Sequence, residues 1–196
     1  MTGTLKKIFL AACLLVTAIA PALAMEHGDA RRYTEQGYFS VEIPTGWEKD
    51  LKVFGLSPDE KKVYGADFLS AKGSGELVSR ISVHFFARGN RVHKDAEQYI
   101  ALHARPIGGA VDGETYGPVK EGRVGSRTAK IFDRTTFFYF PPETINPKKI
   151  PVYEKFAVVP AKQGFYVLRL YSPQETAEAN LKAYASVLAS FNPLAR

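Results

Sequence analysis

The sequence predicts an α+β fold of strands and helices. Several runs alternate apolar and polar residues with the period of a half-buried strand, and two segments repeat apolar residues at helical spacing. These segments follow one another in the order strands, helix, strands, helix, which is typical of an α+β domain.

The first strands precede the only tryptophan of the sequence. Residues 31–34 predict a short edge strand that turns at Gln36-Gly37, and residues 38–43 alternate as a half-buried strand. Residues 44–46, Pro-Thr-Gly, end that strand. We interpret Trp47 as a core anchor where the chain turns back; the functional alternative is a tryptophan that stacks on a ligand.

The middle of the chain predicts three more strands and a helix. Weak strands are expected at 51–54 and 63–69, and a clearer one at 77–86. Asp95 is the predicted N-cap of a helix that ends by Pro106, because apolar residues recur at helical spacing after it.

A glycine-rich stretch separates that helix from a long strand. Six glycines between 108 and 125 predict flexible connections or hairpin turns. Residues 127–140 predict the long strand, whose last four residues are aromatic: Phe137, Phe138, Tyr139 and Phe140. These place apolar surface on both faces, as in a central strand covered on both sides; the alternative is an exposed surface for a partner or an apolar ligand.

Four prolines between 141 and 151 predict an exposed, semi-rigid loop outside the sheet, because proline cannot donate to a sheet ladder. Strands are then expected at 152–159 and 165–171, joined by a hairpin connection. The final helix is predicted to begin with Ser172 as N-cap, Pro173 as first helical residue and Glu175 as the acidic partner of a capping box. Its apolar face comprises Ala177, Leu181, Tyr184, Leu188 and Phe191.

The N-terminus predicts export. Lys6 and Lys7 precede an uncharged apolar run at 8–20, and the small-residue triplet 22–24 follows, which is the order of parts in a cleavable signal peptide. Cleavage after Ala24 leaves residues 25–196 as a single domain with its core at about 37–192. Two alternatives are an uncleaved membrane anchor and a lipoprotein with lipidated Cys13.

The expected location is therefore periplasmic or otherwise extracytoplasmic, with membrane contact only through the transient signal peptide. Cys13 is the only cysteine, so the mature form has none and thiol chemistry is excluded. Loss of the two signal lysines lowers the formal net charge from +6 to +4. The densest basic group, between 120 and 134, does not form one stripe and is interpreted as a solvated surface. Nucleic acid is not an expected partner, because the chain carries the export signal.

The sequence predicts no cofactor, and its histidines lack a metal-ligand spacing. Cleavage after Ala24 would nevertheless give a mature N-terminus of Met25, Glu26 and His27. A free amine with histidine third can bind Cu(II) or Ni(II) in a square plane through the amine, two amides and the imidazole. This is a minor metal-binding hypothesis.

Three segments resemble the PsbP-like proteins: Tyr38–Trp47, Gly164–Leu168 and Leu188–Phe191. That family contains an extrinsic subunit of photosystem II, a nuclear-import factor and many bacterial exported proteins. The resemblance, which covers about 38–47 and 156–192, implies an antiparallel sheet flanked by helices on both faces, an α/β/α sandwich. It implies no catalytic residues.

No catalytic motif is present in the sequence. The leading hypothesis is a non-enzymatic binding or assembly module of the bacterial cell envelope with a protein partner. Its predicted contact surface comprises Phe137, Phe138, Tyr139, Phe140, Lys148 and Lys149. The alternatives are a carrier of a small apolar ligand or lipid and a hydrolase with an unrecognised site.

Overall fold

The computed structural model describes residues 31–52, 55–71, 77–109 and 111–194. The predicted signal segment 1–24, with Cys13, and the residues Met25–His27 lie outside the described residues. In the described part, the strands form two antiparallel sheets and three helices accompany them.

The strands are β1 Arg31–Glu35, β2 Phe39–Ile43, β3 Trp47–Lys49, β4 Val63–Ser70, β5 Arg80–Ala87, β6 Thr115–Tyr116, β7 Lys120–Val124, β8 Arg127–Phe140, β9 Lys148–Ala161, β10 Gly164–Pro173 and β11 Asn192–Pro193. The helices are α1 Pro58–Lys61, α2 Ala96–His103 and α3 Ala177–Ser190, with a 3₁₀ turn at Gln174–Thr176 before α3.

The small sheet has the order β1-β2-β11, and the large sheet has the order β3-β4-β5-β10-β9-β8-β6, with β7 also paired to β8. The prediction of an α+β fold built on antiparallel strands is confirmed. The long strand predicted at 127–140 is β8, and the hairpin predicted near the C-terminus is β9-β10.

Alternate side chains of β10 enter two hydrophobic clusters. Leu168 belongs to the cluster that contains β2 and the buried Tyr184 of α3, whose hydroxyl donates to the Leu168 carbonyl over 2.8 Å. Phe165 belongs to the other cluster, with the buried Tyr99 of α2. Because strand neighbours point to opposite sides, we name the two sides of the large sheet after Leu168 and Arg169.

The local sequence signals explain the helices and the position of the tryptophan. The side chain of Asp95 accepts from the Gln98 amide over 2.8 Å, which confirms the predicted N-cap of α2. Trp47 is only 5% exposed, which confirms it as a core residue at the start of β3. Ser57 and Glu60 form a capping box on the short helix α1.

Four expectations are wrong in detail. Residues 51 and 52 are not in a strand, and Leu51 is 83% exposed; residues 53 and 54 lie outside the described part. The glycine-rich stretch contains β6 and β7, and Val124 of β7 is buried, because pairing with β8 overrides local flexibility. Residues 148–151 belong to β9, where Pro151 pairs with Phe137.

The fourth error concerns the start of the last helix. Ser172 is still in β10, paired with Tyr153, and α3 begins at Ala177 after the 3₁₀ turn. The Ser172 hydroxyl does not cap the helix; it lies buried within hydrogen-bond distance of the Ser79 and Thr176 hydroxyls. The sheet register and this buried network therefore outweigh the local capping signal.

Among the residues described, none of the helices combines the length and apolar character needed to cross a bilayer.

Candidate functional site

The Arg169 side of the large sheet carries a groove of about 490 Å³ beyond the part that α2 covers. We call it the open-face groove. Its lining residues come from β4, β5, β8, β10 and the connections before β4 and β5: Asp50, Lys52, Leu69, Leu77, Val78, Arg80, Phe138, Arg169 and Tyr171. Its volume is within the roughly 300–1,000 Å³ of small-molecule sites.

A buried carboxylate anchors the floor of this groove. Glu154 of β9 is 1% exposed and lies directly opposite Arg134 of β8 and Tyr171 of β10. Arg134 Nε donates to Glu154 Oε1 over 2.7 Å, and Arg169 Nε donates to Oε2 over 2.7 Å. Arg169 Nη2 also contacts that oxygen. A charge buried to this degree is tolerated only when it is paired and hydrogen-bonded, as here.

The two guanidinium groups contact aromatic rings as well as the carboxylate. Both lie over the ring of Phe156, with centroid distances of 5.4 Å for Arg134 and 5.5 Å for Arg169. Arg169 also lies 5.2 Å from the ring centroid of Tyr171. Arg134 Nη1 donates to the carbonyl of His103, the last residue of α2, over 3.4 Å. The charged floor therefore joins the sheet to the end of α2.

Burial affects the histidine at that helix end. Desolvation lowers the pKa of His103 from its usual 6.5 to about 4, against the opposing effect of a hydrogen-bond distance of 2.8 Å between its Nδ1 and the Tyr99 carbonyl. Its ring stacks on that of Tyr99 with centroids 4.1 Å apart. His103 is therefore neutral at physiological pH and adds no charge to the floor.

A second ionic group surrounds Arg80, which lines the groove. Arg80 lies 3.4 Å from an oxygen of Asp67 and 3.7 Å from an oxygen of Asp50. The other oxygen of Asp67 is 3.9 Å from Nε2 of His84, and desolvation lowers the pKa of His84 despite this carboxylate. Within the described residues, that Asp67 oxygen is buried without a hydrogen-bond partner.

Ser82 is the hydroxyl nearest to this pair in the sheet register, directly opposite Asp67 and two residues from His84. A nucleophile and its base must lie within hydrogen-bond reach, at about 2.6–3.2 Å. In the part of the chain that the structure describes, Ser82 and His84 make no such bond, and the His84–Asp67 distance is too long for one. No cluster of three or more metal-ligating side chains occurs among the described residues either.

The structure divides the predicted partner surface between the two sides of the sheet. Phe138 and Phe140 lie on the Arg169 side, with ring centroids 6.3 Å apart, and Phe138 lines the open-face groove. Phe137 and Tyr139 lie on the Leu168 side. Phe137 and Phe138 are half-buried, whereas Tyr139 and Phe140 are 42% and 36% exposed. The four aromatics therefore do not form one surface.

The two lysines are separated in the same way. Lys148 pairs with Phe140 and Lys149 with Tyr139, so they share the sides of those partners. Lys149 Nζ lies 3.7 Å from the centroid of the Phe137 ring and donates to the carbonyl of Asp112 over 3.1 Å. Lys149 thus covers Phe137. Phe138, Phe140 and Lys148 lie on the Arg169 side.

Sequence reasoning missed the ionic floor of the groove. Glu154 and Arg169 have the parity of the buried residues Phe156 and Val167 in their strands. A charged residue on the buried side of an otherwise apolar strand indicates a buried ion pair. That signal is readable in the sequence, but the partner of each charge is not.

No protein-family model matches the chain, and no curated protein matches it. Among solved structures, the chain is similar to the crystal structure of LpqN, described as involved in cell envelope biogenesis of Mycobacterium tuberculosis. The two share 12% sequence identity with a TM-score of 0.47, over 86% of this chain and 87% of that one.

Proposed function

We propose that this protein is a non-enzymatic binding module of the bacterial cell envelope and that its ligand lies in the open-face groove. One observation carries the proposal: a groove of about 490 Å³ lies open on the large sheet, lined by apolar side chains and fixed guanidinium groups. Such a combination, an apolar cavity with a few convergent polar groups, is typical of ligand-binding sites.

Several features support binding rather than chemistry. The ionic groups of the groove are paired with each other, as in the Arg134–Glu154–Arg169 triad, and the Ser82–His84–Asp67 arrangement lacks the distances of an activated nucleophile. The envelope location rests on the predicted signal segment 1–24. We further propose a PsbP-like arrangement, with helices on both faces of the sheet, as the scaffold of the site.

The groove makes the carrier of a small apolar ligand the stronger of the binding hypotheses. A protein partner remains the second candidate, because the exposed Phe140 and Tyr139 extend beyond the groove at the end of the β8-β9 hairpin. Both hypotheses place the contact on aromatic side chains, but the groove uses only the Arg169 side, whereas a partner that contacts Phe140 and Tyr139 would use both sides of the sheet.

Two matched double variants distinguish binding on the Arg169 side of the sheet from binding on the Leu168 side. Phe138→Ser with Phe140→Ser alters the Arg169 side, and Phe137→Ser with Tyr139→Ser alters the Leu168 side; each pair removes one half-buried and one exposed ring. Native mass spectrometry of protein purified from the envelope should show a bound small molecule in the wild type and the second pair. The first pair should have lost it.

Retention of the bound mass by the Phe138/Phe140 variant, or the absence of any bound mass in the wild type, contradicts the groove as the binding site. Loss from the Phe137/Tyr139 variant alone moves the site to the Leu168 side. Enzymatic function is tested separately: if Ser82→Ala abolishes a hydrolytic activity of the purified protein, the non-enzymatic proposal is wrong.

A further inference from the structure

We infer that the open-face groove selects an amphipathic molecule with one negative charge, a free monocarboxylate of the fatty-acid type. The carboxylate is bound by Arg169 and the apolar chain lies along Leu69, Leu77 and Phe138. This inference rests on the proposed function, since it assigns the ligand class of the same groove.

The charge balance of the groove and its floor favours a single negative charge. The charged side chains that line the groove, taken together with their ion-pair partners, are Lys52, Arg80, Arg134 and Arg169 against Asp50, Asp67 and Glu154, which leaves a net charge of +1. Each carboxylate of this set lies within 4 Å of an arginine nitrogen. A ligand with one negative charge neutralises the site, whereas a cationic ligand would add to the excess.

Arg169 is the residue placed to bind that charge. Nε and Nη2 of its guanidinium are directed at Glu154, and Nη1 makes no hydrogen bond to any residue that the structure describes. The group is fixed by Glu154, Phe156 and Tyr171, and it lines the groove. A donor held in advance costs little ordering on binding, and hydrogen bonds to charged groups are the stronger class.

The rest of the lining suits an apolar chain. Its apolar and aromatic lining residues are Leu69, Leu77, Val78, Phe138 and Tyr171. Leu77 also lines a neighbouring depression of about 180 Å³ that includes Lys148 and Ile150, so the apolar surface continues past the groove toward the β8-β9 hairpin. A ligand with an extended apolar part can therefore bury it along this path.

The test compares decanoate, decanol and decylammonium binding to the wild-type mature protein by isothermal titration calorimetry at pH 7.4. Decanoate should bind at least about tenfold more tightly than decanol, the factor expected for one hydrogen bond to a charged group. Decylammonium should bind more weakly than decanol. Equal affinities for decanoate and decanol, or no binding of decanoate, overturn the inference.

Arg169→Met removes the excess charge and still leaves Glu154 paired with Arg134. In this variant decanoate should lose its advantage over decanol, while the affinity for decanol stays within about twofold. Arg88→Met is the matched control: Arg88 is exposed after β5, at the far end of that strand from Arg80. It should retain the full preference for decanoate.

An unchanged preference for decanoate in Arg169→Met also contradicts the inference. If Arg169→Met does not fold, Arg169→Lys is used instead. It keeps the charge and should keep the preference for decanoate over decanol. The comparison of the three ligands on the wild-type protein then decides. Failure here is distinguishable from failure of the proposed function. If the Phe138/Phe140 variant loses the native ligand but the wild type does not prefer decanoate, the groove is the binding site and its ligand belongs to a different class.

Discussion

Replacement of Glu154 by glutamine tests whether the ionic floor of the groove stabilises the fold. Glu154 is 1% exposed and receives hydrogen bonds from Arg134 and Arg169, whose side chains are 17% and 31% exposed. Glutamine keeps the size and one acceptor oxygen but removes the negative charge. Two guanidinium groups on the sheet surface then lose their counter-charge.

Removal of one partner from a buried ion pair costs about 3–5 kcal/mol of the free energy of unfolding. We expect about 3 kcal/mol here, because the partial exposure of both arginines lets water screen the uncompensated charges. For a domain of this size that corresponds to a lower Tm by about 6–12 °C. Urea unfolding followed by circular dichroism measures the free energy of unfolding. The slope of that free energy against urea concentration, the m value, should stay unchanged.

Glu121→Gln is the matched control. Glu121 pairs with Lys130 over 2.9 Å, but the two side chains are 73% and 44% exposed, so the expected loss is below about 1 kcal/mol. If the free energy of unfolding of Glu154→Gln lies within about 1 kcal/mol of the wild-type value, the reasoning is refuted. The buried carboxylate would then contribute no more to stability than the exposed one.

Three further predictions concern other parts of the chain. Because burial lowers the pKa of His103 to about 4 while the unfolded value is near 6.5, the unfolded state binds more protons between these values, so stability should fall as the pH falls from 6.5 to 4. The free energy of unfolding, measured in urea at pH 7 and 4.5, should fall more between these pH values for the wild type than for His103→Gln. An equal fall in the two proteins contradicts this prediction. Asn180 Nδ2 donates to the buried hydroxyls of Ser79 and Ser172 over 2.8 and 2.9 Å, so Asn180→Ala should lower the free energy of unfolding by about 1–2 kcal/mol, measured the same way. Protein processed after Ala24 should bind one Cu(II) with a violet d–d band near neutral pH that His27→Gln abolishes; a wild type without the band ends the metal hypothesis.

The elements predicted best are those with long, regular patterns. The strand at 127–140 and the helix capped by Asp95 are found where the sequence places them, because period-2 alternation and an N-cap are local properties. The start of α3 was not predictable in this way. Ser172 has the residue type of an N-cap, but its partner Ser79 is 93 residues away, and that long-range contact decides its role.

The candidate site shows the same division. The parity of Phe137 to Phe140 follows from strand geometry alone, and the sequence therefore already placed apolar surface on both faces of this strand. Which side carries an open groove depends on where α2 packs and how far it extends over Phe156 and Phe165. Those contacts are long-range, and no local pattern reports them.

By itself, the sequence determined the α+β class and most strand positions, and it predicts an export signal whose cleavage would remove Cys13. Only the tertiary structure brought Arg134, Glu154 and Arg169 together, because the register of three antiparallel strands sets their distances. The strand pattern shows which residues face inward. The partner of a buried charge is chosen by strand pairing, and that pairing placed the ionic floor beneath an open groove.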